Sequence, residues 1–353
     1  MRAALGLARR GLGGVWPNPA VGCVLVREDL DGRVVGRGWT QPGGRPHAET
    51  ESLGRAGEEA RGATAYISLE PCDHHGQTPP CSQSLIDSGV AKAVIAIRDP
   101  DPRVCGKGIA RLNSSGIEVE EGVLEDEARR LNLGFFLKTT NKRPMFTLKL
   151  ATDRFGCIPA PGEDNLVTGL LARQRGHMLR ARHDGVLFGI GTVMDDDPEY
   201  TCRLPGMLSL SPVRILLDSD LRLTKTSKLM QTIDKSPLWI IAGKKGDFPG
   251  SRIIVAGEAD GNGRSSPLWI AEELARRGLT RILIEAGPKV AGAFLGAGLV
   301  DRIAWFKAPR QVDGGGVAAV EAFELDSLTN GSQFAKTSVM DVGGDILECY
   351  DRL

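Results

Sequence analysis

Short apolar runs bounded by turn-forming residues recur through the first 140 or so positions, with helical spacing between them. "PAVGCVLVRE" and "RVVGRGWT" read as a hairpin around the turn-rich "DLDG", and "HAETESLGRAGEEA" reads as a helix. "ATAYISLE" and "AKAVIAIRD" are expected to be buried strands flanking a helix that starts near Ser82. At the start, Ala4, Leu7 and Ala8 share one helical face, which predicts a core helix rather than a secretory signal and leaves an organellar transit peptide as the alternative. "LEDEARRLNLGFFLKTT", with Leu124, Ala128, Leu131 and Phe135 on one side, predicts a single closing helix. The "NKRP" after it marks a boundary, because proline disfavours helix in the residue before it. A three-layer α/β domain over residues 1–142 follows from this order.

The second stretch, residues 143–353, repeats the alternation with longer apolar runs. "MFTLKLA", "GVLFGIGTV", "VRILLDS", "PLWIIAG", "RIIVAG", "RILIEAG" and "RIAWFKAP" predict buried strands. "TGLLARQRGHMLRARH", "PLWIAEELARRG" and "KVAGAFLGAG" predict helices, making a second α/β domain, with "DGNGRSSP" and "LPGMLSLSP" as exposed connections.

Composition narrows the class. A chain of 353 residues with 41% hydrophobic and 25% charged positions fits two soluble globular domains. Lys+Arg 44 against Asp+Glu 44 gives no basic surface for nucleic acid or membranes. The longest apolar runs fall well short of the roughly 20 residues a membrane span needs. Seven scattered cysteines suit a reducing compartment better than a disulfide framework, so we expect a cytoplasmic protein. Cys23, inside "AVGCVLV", reads as a small buried hydrophobe.

Candidate chemistry concentrates in "HAE" and "EPCDHHGQTPPC". Zinc favours thiolate and imidazole ligands, and a catalytic site keeps three of them plus an open position. His47, Cys72 and Cys81 offer that set from three separate points near helix starts and a strand end. With Glu49 two residues after His47, they match the His-x-Glu and Pro-Cys signature of zinc deaminases, in which the glutamate shuttles a proton from the attacking water to the leaving amine. Cys72 and Cys81 are separated by eight residues rather than the two of that signature. A closed four-ligand site recruiting His74 or His75, or a redox pair of Cys72 and Cys81, are the alternatives. In the second half there is no G-x-G-x-x-G, but "RILIEAGPKVAGAFL" sets Gly287 between a strand and a helix, where N–H groups and Lys289 could seat phosphate.

"PNPAVGCVLV", "HAE" and "EPCDHHGQTPPC" together resemble the bifunctional riboflavin-biosynthesis deaminase/reductase family, over nearly the whole chain. The resemblance implies a cytidine-deaminase-like domain followed by a dihydrofolate-reductase-like domain. It implies zinc on His47, Cys72 and Cys81, and Glu49 as proton shuttle. Asn18, His74 and His75 would lie on the substrate side. In the second domain it implies NADPH contacts at Ala151, Thr192, Asp196, Ser219 and the turn Gly287, Pro288, Lys289, Val290, Ala291, Gly292 and Ala293. Substrate contacts would come from Tyr200, Arg203 and Glu285. The small-molecule substrate would be 2,5-diamino-6-ribosylamino-4(3H)-pyrimidinone 5′-phosphate, deaminated and then reduced from ribosyl to ribityl, and we expect a homo-oligomer. Departures from the family's usual "SLDGR" leave Asp153, Phe155 and Cys157, and Leu166 stands where a tryptophan is usual. They raise the alternative of an active deaminase whose second half has lost reduction and serves binding or oligomerisation.

Overall fold

The hairpin around "DLDG" forms in the computed structural model as β1 (Gly22–Arg27) and β2 (Arg33–Trp39), reversed where Asp31 and Gly32 take positive φ of 53° and 71°. The structure describes residues 1–74, 79–159, 167–256, 265–312 and 316–353. These fall into two units, Met1–Arg143 and Pro144–Leu353.

In the first unit β1 also pairs with β3 (Thr64–Ile67), beyond which β4 (Lys92–Ile95) and β5 (Glu118–Glu121) add in parallel, giving the order β2-β1-β3-β4-β5. β5 was not expected, because "EVEE" has no apolar run. It is an edge strand whose glutamates lie outside, Glu118 and Glu120 pairing with Lys92. Helices α1 (Arg2–Ala8), α2 (Ala48–Ala56), α3 (Cys81–Asp87) and α4 (Lys107–Ser114) cover the sheet around a core that includes Leu5, Leu25, Ile67, Leu85, Ile95 and Leu112.

The closing helix predicted as one is two, α5 (Glu125–Leu131) and α6 (Leu133–Asn141). Asn132 breaks them: buried, it donates Nδ2–H to the Ala20 carbonyl at 2.9 Å and accepts the Ala20 N–H at 3.0 Å. The local bonding of this asparagine outweighs the continuous apolar stripe.

Two glycines in β2 place α2. A Cβ at Gly36 would run into the Ser52 carbonyl, and one at Gly38 into the Ala48 carbonyl. Their absence of a side chain lets α2, with His47 at its N-cap and Glu49 in its first turn, lie directly on the strand.

The second unit is built on β6 (Met145–Thr152), β8 (Gly185–Gly189), β9 (Val213–Leu217), β10 (Leu238–Ala242), β11 (Arg252–Val255), β12 (Arg281–Ile284) and β13 (Val300–Lys307), all parallel, with a small ladder of β7 (Cys157–Ile158) and β14 (Val317–Ala318) beside them. β15 (Phe334–Asp341) and β16 (Ile346–Arg352) form an antiparallel hairpin, so the nine-stranded sheet runs β11-β10-β9-β8-β12-β6-β13-β16-β15. Helices α7 (Leu170–Ala181), α8 (Ile190–Asp196), α9 (Lys228–Gln231), α10 (Pro267–Arg276), α11 (Pro288–Gly296) and α12 (Leu325–Thr329) complete it.

"GVLFGIGTV", read as strand throughout, changes at Gly189: the strand ends there and α8 begins, because Ile190 and Val193, three apart, both turn into the core. The ends of β6, β8, β9 and β12 all open on one side of the sheet, the edge at which parallel α/β sheets bind ligands. Among the described residues no helix is long and apolar enough to cross a membrane.

Candidate active sites

His47, Cys72 and Cys81 converge in the first unit. One ligand atom from each lies within 4.8 Å of the others, and among the described residues this is the metal-suited cluster of Cys, His and carboxylate groups. The His47 Nδ1 is 3.3 Å from Cys81 Sγ and 3.7 Å from Cys72 Sγ. Cys81 opens α3, and its backbone N–H donates to Cys72 Sγ at 3.4 Å. The Cys81 thiol, the His47 ring and that N–H draw Cys72 down to about 4, while Cys72 and burial push Cys81 up. Two thiols and an imidazole whose ligand atoms lie this close form a donor set that fits zinc.

Glu49 is buried, 3% exposed, beside this cluster. Burial pushes its carboxyl up to about 7, with the Cys72 charge adding to the rise and His47 opposing it. A carboxyl poised there can both take and return a proton near neutrality. Asn18 reaches the same region: its amide lies against Gly44, where a Cβ would overlap it and where φ is 84°, in the loop leading to His47. His74 Nδ1 is buried and has no hydrogen-bond partner among the described residues. His75 lies outside the described residues.

The sequence reading passed over the support of this site. Glu70, the acid of "EPC", is buried and accepts backbone N–H groups from Asp99 (3.2 Å), Gly106 (3.0 Å), Gly108 (3.1 Å) and Ile109 (3.4 Å). Asp73 accepts from Ser82 Oγ at 2.5 Å and from Arg111 of α4 at 3.0 Å. Together they tie the turn that carries Cys72 to α3 and α4. An acid directly before a ligand-bearing turn was the available signal.

A second polar centre lies in the second unit at the end of β12. Glu285 accepts from Arg180 Nε at 2.6 Å and Nη2 at 2.9 Å, a bidentate pair, and Lys149 Nζ is 3.9 Å away. Burial alone would raise the Glu285 carboxyl, yet Arg180 and Lys149 hold it down at about 2. Tyr200, at φ 54°, stacks on Phe188 with centroids 3.9 Å apart and donates its hydroxyl to the Glu285 carbonyl at 3.0 Å. His177 Nδ1 accepts the Arg203 N–H at 3.4 Å, and burial with Arg180 and Arg203 pushes its ring down to about 4. The Arg203 side chain is exposed. Arg180, Lys149 and His177 were not singled out from the sequence.

The positions expected to meet the cofactor lie along the sheet's open ends. Ala151 is the penultimate residue of β6, Thr192 and Asp196 lie on α8, and Ser219 follows β9. Gly287 caps α11, with Pro288 at its first position and Lys289 to Gly292 in its first turns. A Cβ on Gly287 would come within 3.9 Å of Thr192 Oγ1, and one on Gly189 within 3.2 Å of Val290. Strand-end glycines facing the first turn of a helix make a backbone cradle that fits a dinucleotide phosphate. Among the four departures, Leu166 lies outside the described residues, Asp153 is buried, and Phe155 is 61% exposed.

Comparisons with known proteins match both units of the chain. Residues 1–97 match the cytidine and deoxycytidylate deaminase zinc-binding region, and residues 156–347 match the RibD C-terminal domain. The riboflavin biosynthesis protein RibD of Aquifex aeolicus is 36% identical over 359 residues, covering 100% of this chain and 97% of that one. Its counterpart in Escherichia coli is 37% identical over 361 residues, covering 98% and 96%. The RibD structure of Acinetobacter baumannii aligns at a TM-score of 0.87 and 34% identity over 100% of this chain and 97% of that one. A Thermotoga maritima structure described as a diaminohydroxyphosphoribosylaminopyrimidine deaminase/5-amino-6-(5-phosphoribosylamino)uracil reductase aligns at 0.88 and 32%, with the same coverage. The first unit thus has the cytidine-deaminase-like fold and the second the dihydrofolate-reductase-like fold expected from the sequence. With identity of this order sustained across both domains, the chain belongs to the RibD family of riboflavin-biosynthesis proteins.

Proposed function

We propose that the first unit releases ammonia from 2,5-diamino-6-ribosylamino-4(3H)-pyrimidinone 5′-phosphate, and that the second reduces the ribosyl side chain of the product to ribityl. The chain is a bifunctional deaminase and reductase of riboflavin biosynthesis that uses zinc and NADPH. The observation that carries the reading is the meeting of His47, Cys72 and Cys81 within 4.8 Å beside a buried Glu49.

His47, Cys72 and Cys81 hold zinc, which when bound supplies Lewis-acid activation of water. Glu49 takes the proton of the attacking water and returns it to the departing amine, a role its near-neutral carboxyl suits. Asn18, His74 and His75 face the pyrimidine and its sugar. In the second unit NADPH, when bound, supplies the hydride. Ala151, Thr192, Asp196, Ser219 and the turn from Gly287 to Ala293 seat it, while Tyr200, Arg203 and Glu285 meet the substrate, Arg203 suiting its phosphate. The intact Arg180–Glu285–Lys149 centre favours an active reductase over a second half retained for binding or oligomerisation.

Removing the metal separates the two activities. Dialysis of the full chain against a zinc chelator should abolish ammonia release, added zinc should restore it, and NADPH oxidation with supplied deaminated substrate should persist throughout. Ammonia release surviving in metal-free protein would overturn the assignment of the trio.

A further inference from the structure

The turn after β6 carries a buried carboxylate that bonds to two separate segments of the chain. Asp153 is 2% exposed. Its Oδ1 accepts the N–H groups of Phe155 at 2.8 Å and Cys157 at 2.9 Å, and its Oδ2 accepts that of Val312 at 3.1 Å, from the segment after β13. The Asp153 N–H donates to the Cys157 carbonyl at 2.9 Å, and Gly156 completes the turn at φ 82°. Next to it, Thr152 Oγ1 donates to the Asp153 carbonyl and accepts Trp305 Nε1–H, each at 2.8 Å, while the Ala308 N–H donates to the Thr152 carbonyl at 2.8 Å. The ring of Phe155 points away from all of this, and the Arg154 guanidinium lies 4.7 Å from its centroid.

We propose that Asp153 is a positioning residue for reduction: its carboxylate clamps the end of β6 to the segment after β13, and so holds the strand end beside Ala151 in the form that receives NADPH. This rests on the placement of the cofactor given above. A side chain with a single oxygen could not face two different segments at once. A carboxylate can, and its bonds to N–H groups are stronger than those of a neutral acceptor.

The test is NADPH binding and turnover in the full chain for wild type, Asp153→Ala and Asp153→Asn, with ammonia release as the in-chain control. Asp153→Ala should weaken NADPH binding and raise its KM by about tenfold or more, the scale of a lost charge-assisted hydrogen bond, with kcat at saturating NADPH within about threefold. Asp153→Asn keeps an oxygen for Phe155 and Cys157 but turns an NH2 toward Val312, and should fall between the two. Unchanged NADPH binding in Asp153→Ala, or a loss confined to kcat, would overturn the proposal. If Asp153→Ala fails to fold, Asp153→Asn decides alone: weaker NADPH binding at an unchanged melting temperature supports the clamp, and unchanged binding overturns it. A wild-type chain that binds no NADPH would instead remove the cofactor placement, and the proposal with it.

Discussion

Glu49→Gln should lower ammonia release by about 10²–10⁴-fold while the protein keeps its zinc and still oxidises NADPH when given the deaminated product. The substitution keeps the shape of a buried side chain, so folding should survive. It removes a carboxyl beside the His47, Cys72 and Cys81 cluster that burial pushes up to about 7, where it can exchange a proton near neutral pH. Glu49 is not itself one of the clustered ligand atoms, so metal content measured on the same preparation separates the two roles. Loss of zinc together with activity would mean that Glu49 is a ligand. Full activity would return the site to a structural one, closed by a fourth protein ligand.

Glu285→Ala should be more damaging still, but in the other half of the chain. The Glu285 carboxylate, itself buried, neutralises the largely buried Arg180 and Lys149 through a bidentate pair and a longer contact. Removing one partner of a buried ion pair leaves an uncompensated charge and typically costs about 3–5 kcal/mol. NADPH oxidation should disappear and the thermal transition of the second half should fall, with ammonia release retained. Glu285→Gln, which keeps an acceptor for Arg180, should recover much of the stability but not the activity. The linkage has a definite sign. Glu285 is held at about 2, below the usual carboxylate range, so its stabilisation is complete above that range and is lost as the pH falls toward 2. A second half whose stability is insensitive to Glu285→Ala would contradict the buried charge centre.

The cluster of His47, Cys72 and Cys81 was legible from the sequence because each residue sits in a short motif at a strand or helix end, where local pattern and chemistry coincide. The reductase centre was much less so. The stretch containing α7 carries Arg173, Arg175, Arg180 and Arg182, and nothing local tells which of them turns inward. Only the packing against β12 selects Arg180, together with His177 three residues before it on the same face. Lys149 likewise looks like one lysine in an apolar strand until its neighbour β12 brings Glu285 beside it.

The fold shows the same division. Strands buried on both faces announce themselves as apolar runs, and all seven runs read as strands in the second half contain one, although β8 stops at Gly189 and β11, at the sheet edge, is only partly buried, with Val255 41% exposed. The β15–β16 hairpin escaped notice because β15 is mostly exposed and polar, "KTSV" at its centre, and is held by pairing with β16 rather than by burial. Asn132 and Gly189 mark two more failures of pattern alone. One spends its amide on a distant backbone, and the other ends a strand whose apolar residues continue into a helix.

The decisive measurement is a stoichiometry. Purified full-length protein carrying one zinc per chain, given the diaminopyrimidine ribosyl phosphate with NADPH, should release one ammonia and oxidise one NADPH for each substrate consumed. Ammonia released with no NADPH oxidised, or NADPH oxidised with no ammonia, would contradict two working sites on one chain.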